Sequence, residues 1–179
     1  MNKYLTNSKL KKIGFKKIGK NCKISKSIST YNLIGSLGDN IRIDDDVQLK
    51  GKIDLKSNVH IARGCTLSGA KHGIFVDDLV SLANYVQIYS SSDDYYSPSI
   101  AVATLNSEMR KKFSKVYEKK IKIGKCCIIG TLSVLLPGAI IGDFSSIGAL
   151  TIVNKKISKG FFFSVKGKGK TKKKRCKII

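Results

Sequence analysis

A six-residue spacing of large aliphatic residues is the feature of this sequence that most restricts its fold. Leucine, isoleucine or valine recurs at every sixth position in three runs. A period of six matches neither the 3.6-residue turn of an α-helix nor the alternation of one long strand. The runs are Leu37, Ile43, Leu49, Leu55, Ile61 and Leu67; Val76, Leu82 and Ile88; and Ile123, Ile129, Leu135, Ile141 and Ile147.

Small or β-branched residues accompany this spacing, because they stand four positions after every aliphatic residue of the runs except Leu67, where Lys71 takes the place. Gly, Ala, Asp or Ser often follows the aliphatic residue directly, as at Gly38 and Gly142. This pattern favours short strands joined by tight corners, where such residues tolerate unusual backbone angles. Stacked turns would bury one continuous aliphatic column. An ordinary β-sandwich is the alternative, but its strands would lack a fixed period.

Five phrases carry the repeat along nearly the whole chain: KKIGFKKIGKNCKIS, GDNIRIDDD, HIARGCTLSG, IYSSSDDYY and IIGTLSVLLPGAIIGDFSSIGALTIV. Together they resemble the hexapeptide-repeat transferases. The branch they resemble contains sugar O-acetyltransferases and nucleotide-aminosugar N-acyltransferases of surface-polysaccharide pathways. The resemblance implies an all-β fold, a left-handed parallel β-helix of about five coils with one long extruded loop.

The chain reads as one β-helix domain over residues 1–179, with a leading segment at 1–17 and a basic tail at 155–179. The repeat is interrupted twice. The step from Leu67 to Val76 is nine residues, which predicts a small bulge that contains His72. Residues 89–120 hold no sustained hexads and predict an extruded loop, with a Ser-Asp-Asp-Tyr cluster at its root.

Composition limits the partners of the chain. Its 34 basic and 12 acidic residues give a formal charge of +22, but the basic residues are nearly all lysines and are not interleaved with aromatic residues. We therefore expect anionic small-molecule partners and no nucleic acid. No apolar run is long enough for a secretory signal or a membrane span, and the five cysteines form no CxxC pair. These features predict a cytoplasmic protein with reduced thiols and at most peripheral membrane association.

The acceptor chemistry is expected at the root of the long loop. Acyl transfer from a thioester requires a group that accepts a proton, donors for the oxyanion and aligned substrates. Many relatives place a histidine where this chain has Asp93, so Asp93, Asp94 and His72 are the catalytic candidates. A carboxylate is a weak base for an alcohol but can guide an ammonium group, which favours an amino sugar. Alternatively, the aspartates only cap the loop, and His72 is a simple polar corner.

Ser81 and Asn84, shortly before Ile88, and Tyr95 are expected to touch the acceptor sugar. The resemblance also implies a homotrimer, with active sites between neighbouring subunits and acyl-CoA along the late coils. No metal is expected, since a γ-type carbonic anhydrase on this fold needs three histidine ligands and the chain has two histidines. The residues that would contact coenzyme A are Gly130, Thr131, Ser133, Gly148, Ala149, Lys166 and Lys168.

The sequence therefore predicts an acyltransferase that uses acyl-CoA, specifically acetyl-CoA. Its expected acceptor is a hydroxyl or amino group of a sugar or nucleotide-linked sugar in surface-polysaccharide biosynthesis. The alternative is a catalytically inactive β-helix that serves as a binding or assembly subunit. That alternative is favoured by the missing histidine and by the departures from the usual coenzyme A contact phrases at Thr131 and Lys166.

Overall fold

The parallel β-helix predicted from the six-residue spacing is confirmed. The computed structural model describes residues 3–102 and 104–165, and the backbone of residues 167–170. Its elements, in chain order, are α1 Asn7–Lys12, β1 Phe15–Ile18, β2 Lys23–Ile24, β3 Ser29–Leu37, β4 Arg42–Ile43, β5 Gln48–Leu55, β6 His60–Ile61, β7 Thr66–Ser68, β8 Ile74–Val76, β9 Ser81–Leu82, β10 Gln87–Tyr89, β11 Ser91–Asp93, α2 Ser107–Phe113, β12 Val116–Glu118, β13 Ile121–Ile123, β14 Ile128–Ile129, β15 Val134–Leu135, β16 Ile140–Ile141, β17 Ser146–Ile147, β18 Ile152–Val153, β19 Lys156–Ile157, β20 Phe161–Ser164 and β21 Gly167–Lys170.

Three faces of parallel strands enclose the core. Face A contains the first halves of β3 and β5, then β7, β10, β15 and β18. Face B contains β1, the second halves of β3 and β5, then β8, β13, β16 and β19. Face C contains β2, β4, β6, β9, β14, β17 and β20, and β21 joins it antiparallel to β20. The chain passes from face A to B to C and back to A, so we name its turns the A–B, B–C and C–A corners.

The predicted aliphatic residues form the interior of this prism. None of the fourteen is more than 3% exposed. Burial of each such side chain contributes about 2 kcal/mol relative to exposure. Of the residues four positions further on, only Lys71 and Ser92 are not buried, and both lie where the repeat is interrupted. The hexads therefore identify the inward positions correctly.

The number of coils exceeds the predicted value of about five, because face C alone stacks seven parallel strands. The additional coils lie at the two ends of the rod. There the buried residues include Phe15, Ile24 and Leu33 at one end, and Val153 and Ile157 at the other. Leu33 and Ile157 depart from the six-residue spacing, and Val153 continues it beyond Ile147, the last residue of the runs. Residues 155–165, which were expected in the basic tail, contain β19 and β20, whereas residues 171–179 lie outside the described residues.

The corners use two kinds of residue for two different reasons. Left-handed backbone occurs at the third residue after the aliphatic one, as at Asn40 (φ 55°), Asn58 (φ 59°) and Leu132 (φ 59°), and not at the glycine that follows the aliphatic residue directly. That glycine has another purpose. A Cβ atom added to Gly130 would lie 2.4 Å from the backbone nitrogen of Ala149 on the next coil. The absence of a side chain there permits close stacking of coils.

The long insertion leaves the A–B corner without disturbing the ladders on either side. Ile74 pairs with Ile121 on face B, and Gln87 pairs with Val134 on face A. Within the insertion, β11 and β12 form an antiparallel pair, and α2 begins after Asn106, whose side chain accepts a hydrogen bond from the Met109 backbone nitrogen. Neither helix of the described part of the chain has the length and apolar character that crossing a bilayer requires.

Candidate active site

Asp94 follows β11 and closes a tight turn at the root of the loop. Its Oδ1 accepts hydrogen bonds from the backbone nitrogens of Tyr96, at 2.9 Å, and Ser97, at 3.2 Å. The Ser97 hydroxyl donates to Oδ2, and the Ser99 hydroxyl donates to the Asp94 carbonyl oxygen at 3.0 Å. The Ser97 hydroxyl, followed by the two backbone N–H groups, holds the pKa of Asp94 below its usual value. The Asp94 carboxylate is therefore ionised at neutral pH.

Asp93 differs from its neighbour, although the two are adjacent. Its backbone pairs with Val116 across the β11–β12 hairpin, and its side chain is exposed. Its carboxylate accepts no hydrogen bond from the described part of the chain. Asp93 is therefore available to a ligand, whereas Asp94 also stabilises the turn.

Both carboxylates line a cavity of about 320 Å³, which we call the aspartate pocket. The loop supplies one wall, including Tyr95 and Tyr117, and the A–B corner of the later coils supplies the other through Leu136 and Pro137. Tyr95 is 80% exposed, so the pocket is open to solvent on the side of the loop. Carboxylates beside aromatic and aliphatic walls suit a polar ring with a cationic substituent.

Beyond residues 92–96, the aspartate pocket is lined by four residues that are absent from the sequence-based candidates. Leu136 and Pro137 could have been found by counting hexads, because Leu135 pairs with Ile88 one coil earlier and so brings this corner beside the loop root. Nothing in the sequence indicates that Tyr117 or Asn154 lines the pocket. The position of Tyr117 depends on how the loop folds back.

His72 touches the base of the loop instead of lining the aspartate pocket. Its Nε2 atom lies 3.8 Å from Oε2 of Glu118. Glu118 pairs with Ser91 at the end of the hairpin nearest the β-helix. His72 therefore contacts the strand that supports the aspartates, and it is separated from them by the length of the hairpin.

A second group of candidates lies at the C–A corner, where Asn84, Thr131 and Ala149 stack on successive coils. The carbonyl oxygen of Asn84 accepts from the Leu132 nitrogen at 3.1 Å, and that of Thr131 accepts from the Leu150 nitrogen at 2.9 Å. The backbone N–H groups of Asn84, Thr131 and Ala149 make no hydrogen bond with any described residue. We call these three residues the corner column. Its unused N–H groups suit an extended ligand that carries amide carbonyls.

Three further candidates, Gly130, Ser133 and Gly148, lie beside the corner column and support the stacking of its coils. Ser133 is fully buried, and its hydroxyl donates to the Gly148 carbonyl oxygen at 2.8 Å. Gly130 and Gly148 are required for stacking, since a Cβ atom on Gly148 would lie 2.7 Å from Cβ of Ser164. Lys166 lies outside the described residues. Lys168 is described by its backbone alone, in β21.

Ser81 and Asn84 do not meet the aspartates within one chain. Ser81 lies on β9 of face C, where its neighbours in the ladder are His60 and Ile128. Asn84 is at the C–A corner, and the whole of β10 lies between it and the A–B corner that carries Asp94. The sequence-based candidates therefore form two groups on opposite edges of face A.

Face A is distinctive because it carries little charge. Its outward residues from β7 onward are neutral, and include Thr66, Gln87, Val134 and the 63% exposed Ile152. Faces B and C both carry charged residues, such as Lys122 on face B and Arg42 on face C. At the edge of face A the C–A corner adds three exposed apolar residues, Tyr85, Leu132 and Leu150.

Neither a thiolate nor a metal cluster is provided by the described residues. Cys22 and Cys65 are free thiols, and burial raises the pKa of Cys65 to about 11. No three His, Cys, Asp or Glu side chains in the described ranges lie close enough together to hold a metal ion. Asp93 and Asp94 are the carboxylates that line the aspartate pocket.

No protein-family model matches the chain, but individual proteins do. A dTDP-4-amino-4,6-dideoxy-D-glucose acyltransferase from Escherichia coli is 35% identical to it over 156 residues. The match covers 85% of this chain and 79% of that enzyme.

The solved structures of AntD, an N-acyltransferase from Bacillus cereus, are also similar. The complex of one AntD variant with dTDP-4-amino-4,6-dideoxyglucose and coenzyme A has a TM-score of 0.86 and 32% identity, and covers 99% of this chain and 94% of AntD. The complex with dTDP and 3-hydroxybutyryl-CoA has a TM-score of 0.84 and 31% identity, over 95% and 89% of the two chains. AntD has been solved with a serine replaced and with an aspartate replaced, two residues ten positions apart.

Proposed function

The chain belongs to the hexapeptide-repeat acyltransferases, and from this we propose that it transfers an acyl group from acyl-CoA to the amino group of a nucleotide-linked 4-amino-4,6-dideoxy sugar. The observation that carries the proposal is the aspartate pocket, where two carboxylates face an open cavity. A pocket of negative charge attracts an ammonium substituent more than a hydroxyl group. We also propose cytoplasmic action, in keeping with the free thiols of Cys22 and Cys65.

The spacing of two residues supports the same acceptor. Asn84 and Asp94 are ten positions apart, as are the replaced serine and aspartate of AntD. We propose that Asp94 corresponds to that aspartate and that Asn84 takes the place of the serine. Asparagine keeps a short polar side chain at this point and offers both a donor and an acceptor.

The proposed enzyme is a homotrimer whose active sites lie between copies. Asn84 and Asp94 stand on opposite edges of face A in one chain, so a joint site requires the corner column of one copy to meet the aspartate pocket of the next. Packing three copies through face A would bring these edges together. The neutral outward residues of face A support this arrangement in a chain of charge +22. The exposed Leu132 and Leu150 at its edge would then be buried.

In the proposed mechanism each group of residues has its own task. The backbone N–H groups of Thr131 and Ala149 hold the amide carbonyls of the acyl-CoA arm. The carboxylate of Asp94 binds and orients the amino group of the acceptor, which must be unprotonated to react. The nitrogen attacks the thioester carbonyl, the C–N bond forms, and the C–S bond breaks. The proton lost by nitrogen finally leaves on the coenzyme A thiol.

Asp94 is suited to positioning more than to strong general base catalysis. Its lowered pKa means that it stays ionised and gives up a captured proton readily. A negative charge next to the attacking nitrogen stabilises the positive charge that develops there as the new bond forms. The side-chain amide of Asn84 from the adjacent copy can donate to the thioester oxygen, where negative charge develops.

The test is transfer with defined substrates. Purified protein is incubated with dTDP-4-amino-4,6-dideoxyglucose and either acetyl-CoA or 3-hydroxybutyryl-CoA. The release of free thiol is followed, and the mass of the sugar product is measured by mass spectrometry. We expect thiol release matched by an acylated nucleotide-sugar. Protein that releases no thiol, and whose melting temperature does not rise with acyl-CoA, would be an inactive assembly subunit instead.

A further inference from the structure

A second cavity, of about 300 Å³, lies on face A towards the N-terminal end of the β-helix. Six of its nine lining residues carry hydroxyl groups, among them Tyr31, Thr66, Ser68 and Tyr89. We call it the hydroxyl pocket. A cavity lined by so many donors and acceptors suits a ligand rich in oxygen.

The hydroxyl pocket leads to the root of the loop. Tyr31, Lys50, Ser68 and Tyr89 are stacked on successive coils, each paired with the next along the edge of face A. Three steps between parallel strands span about 14 Å. Tyr89 ends β10, and β11 with Asp93 begins two residues later. A molecule lying along these four residues would therefore end at the root of the loop, from which β11 leads to the aspartates.

Lys50 is the feature that indicates the charge of this ligand. It is the single charged residue among those lining the hydroxyl pocket. No carboxylate of the described residues forms an ion pair with Lys50. Its Nζ atom lies 5.4 Å from the centre of the Tyr31 ring, and that ring is 64% exposed. An uncompensated ammonium group on an otherwise neutral face suits a phosphate, and an exposed ring beside it suits a stacked base.

We propose that the hydroxyl pocket binds the nucleoside diphosphate part of the acceptor. Lys50 pairs with the diphosphate, the Tyr31 ring stacks on the base, and the hydroxyl groups bind the remaining oxygens. The inference rests on the proposed function, because it assigns the nucleotide of the same acceptor. It also separates the two substrates: the nucleotide approaches the aspartates from the early coils, and acyl-CoA from the late coils.

Titration calorimetry with dTDP tests the assignment, because dTDP lacks the amino sugar. We expect Lys50→Met to weaken dTDP binding at least tenfold, through loss of the charge with little change in side-chain size. Tyr31→Leu should weaken it about fivefold through loss of stacking. The dissociation constant of coenzyme A and the mass by light scattering should remain those of the wild type.

Lys52 provides a matched control. It is two positions from Lys50, and its Nζ atom also lies over an aromatic ring, that of Phe75, at 5.3 Å. It lies beyond Gly51, on the face B half of β5. Lys52→Met therefore removes the same charge and the same type of contact outside the hydroxyl pocket, and dTDP should bind it within twofold of the wild-type affinity.

Steady-state kinetics separates this inference from the proposed function. With Lys50→Met, a higher KM for the nucleotide-sugar at unchanged kcat and unchanged KM for acyl-CoA supports it. Unaltered dTDP affinity in both Lys50→Met and Tyr31→Leu, in an enzyme that still acylates the nucleotide-sugar, overturns the inference and leaves the function intact. Absence of both dTDP binding and transfer in the wild type overturns the two together.

Discussion

Replacing Asp94 with asparagine separates the charge of this residue from its part in the turn. The asparagine oxygen can still accept hydrogen bonds from the backbone nitrogens of Tyr96 and Ser97, which lie 2.9 and 3.2 Å from Oδ1. The new NH₂ group would face the Ser97 hydroxyl, which can accept as well as donate. The turn is therefore expected to persist, while the negative charge in the aspartate pocket is halved.

The expected loss follows from what that charge does in the reaction. A side chain that handles or stabilises a proton in the transition state contributes about 10² to 10⁴ in rate. This corresponds to about 3 to 5.5 kcal/mol of activation free energy. We expect kcat/KM for Asp94→Asn to fall by that factor. The affinity for coenzyme A should not change, because the proposed contacts of coenzyme A are the backbone N–H groups of the corner column and not the Asp94 side chain.

The assay is thiol release with the nucleotide-aminosugar, alongside thermal denaturation to verify that the variant is folded. Asp93→Asn is the matched control, since it removes the same charge from the same pocket without touching the turn. We expect it to lose less than tenfold. Full turnover by Asp94→Asn would refute the reasoning, and a large loss confined to Asp93→Asn would transfer the role to Asp93.

Three further outcomes are expected. Gly130→Ala should lower the free energy of unfolding by about 1–3 kcal/mol in a denaturant titration, because its Cβ would lie 2.4 Å from the Ala149 nitrogen; an unchanged midpoint would contradict close stacking of the coils. Cys65, with its pKa raised to about 11 by burial, should react with a disulfide reagent far more slowly in the folded than in the unfolded protein, and equal rates would contradict its burial. Leu132→Glu, at a 51% exposed position, should retain the circular dichroism of the wild type but reduce the mass measured by light scattering to that of a monomer; an unchanged mass would place the subunit contact elsewhere.

The fold could be predicted because every coil repeats the same physical requirement. An inward position such as Ile61 or Leu82 must be aliphatic in every coil. Fourteen separate positions therefore indicate the same structure. The coils at the ends do not meet that requirement in the same way. Phe15 is 1% exposed and fills the end of the core with a larger ring, and α1 covers it from outside the repeat. The predicted number of about five coils is therefore too low.

The candidate site was less predictable because it depends on which corner each residue occupies. Asn84 and Asp94 are close in sequence, yet one face of the prism lies between them. From the sequence, His72 is a catalytic candidate together with the aspartates, but its contact is with Glu118, whose position depends on how the loop folds back. The six-residue spacing predicts which corner a residue of the repeat occupies. It predicts no position for a residue inside the insertion of 32 residues.

The left-handed corner residues change in character along the rod. At the C–A corners the early coils use Asp46 and Gly64, whereas the later coils use Tyr85, Leu132 and Leu150. A bulky residue in this conformation costs about 1–2 kcal/mol, and its side chain gains nothing from exposure to water. Selection for heat tolerance in an isolated subunit would therefore replace these three residues with asparagine or glycine. The resulting protein would melt later and would lack the apolar corner residues that we propose are buried between subunits.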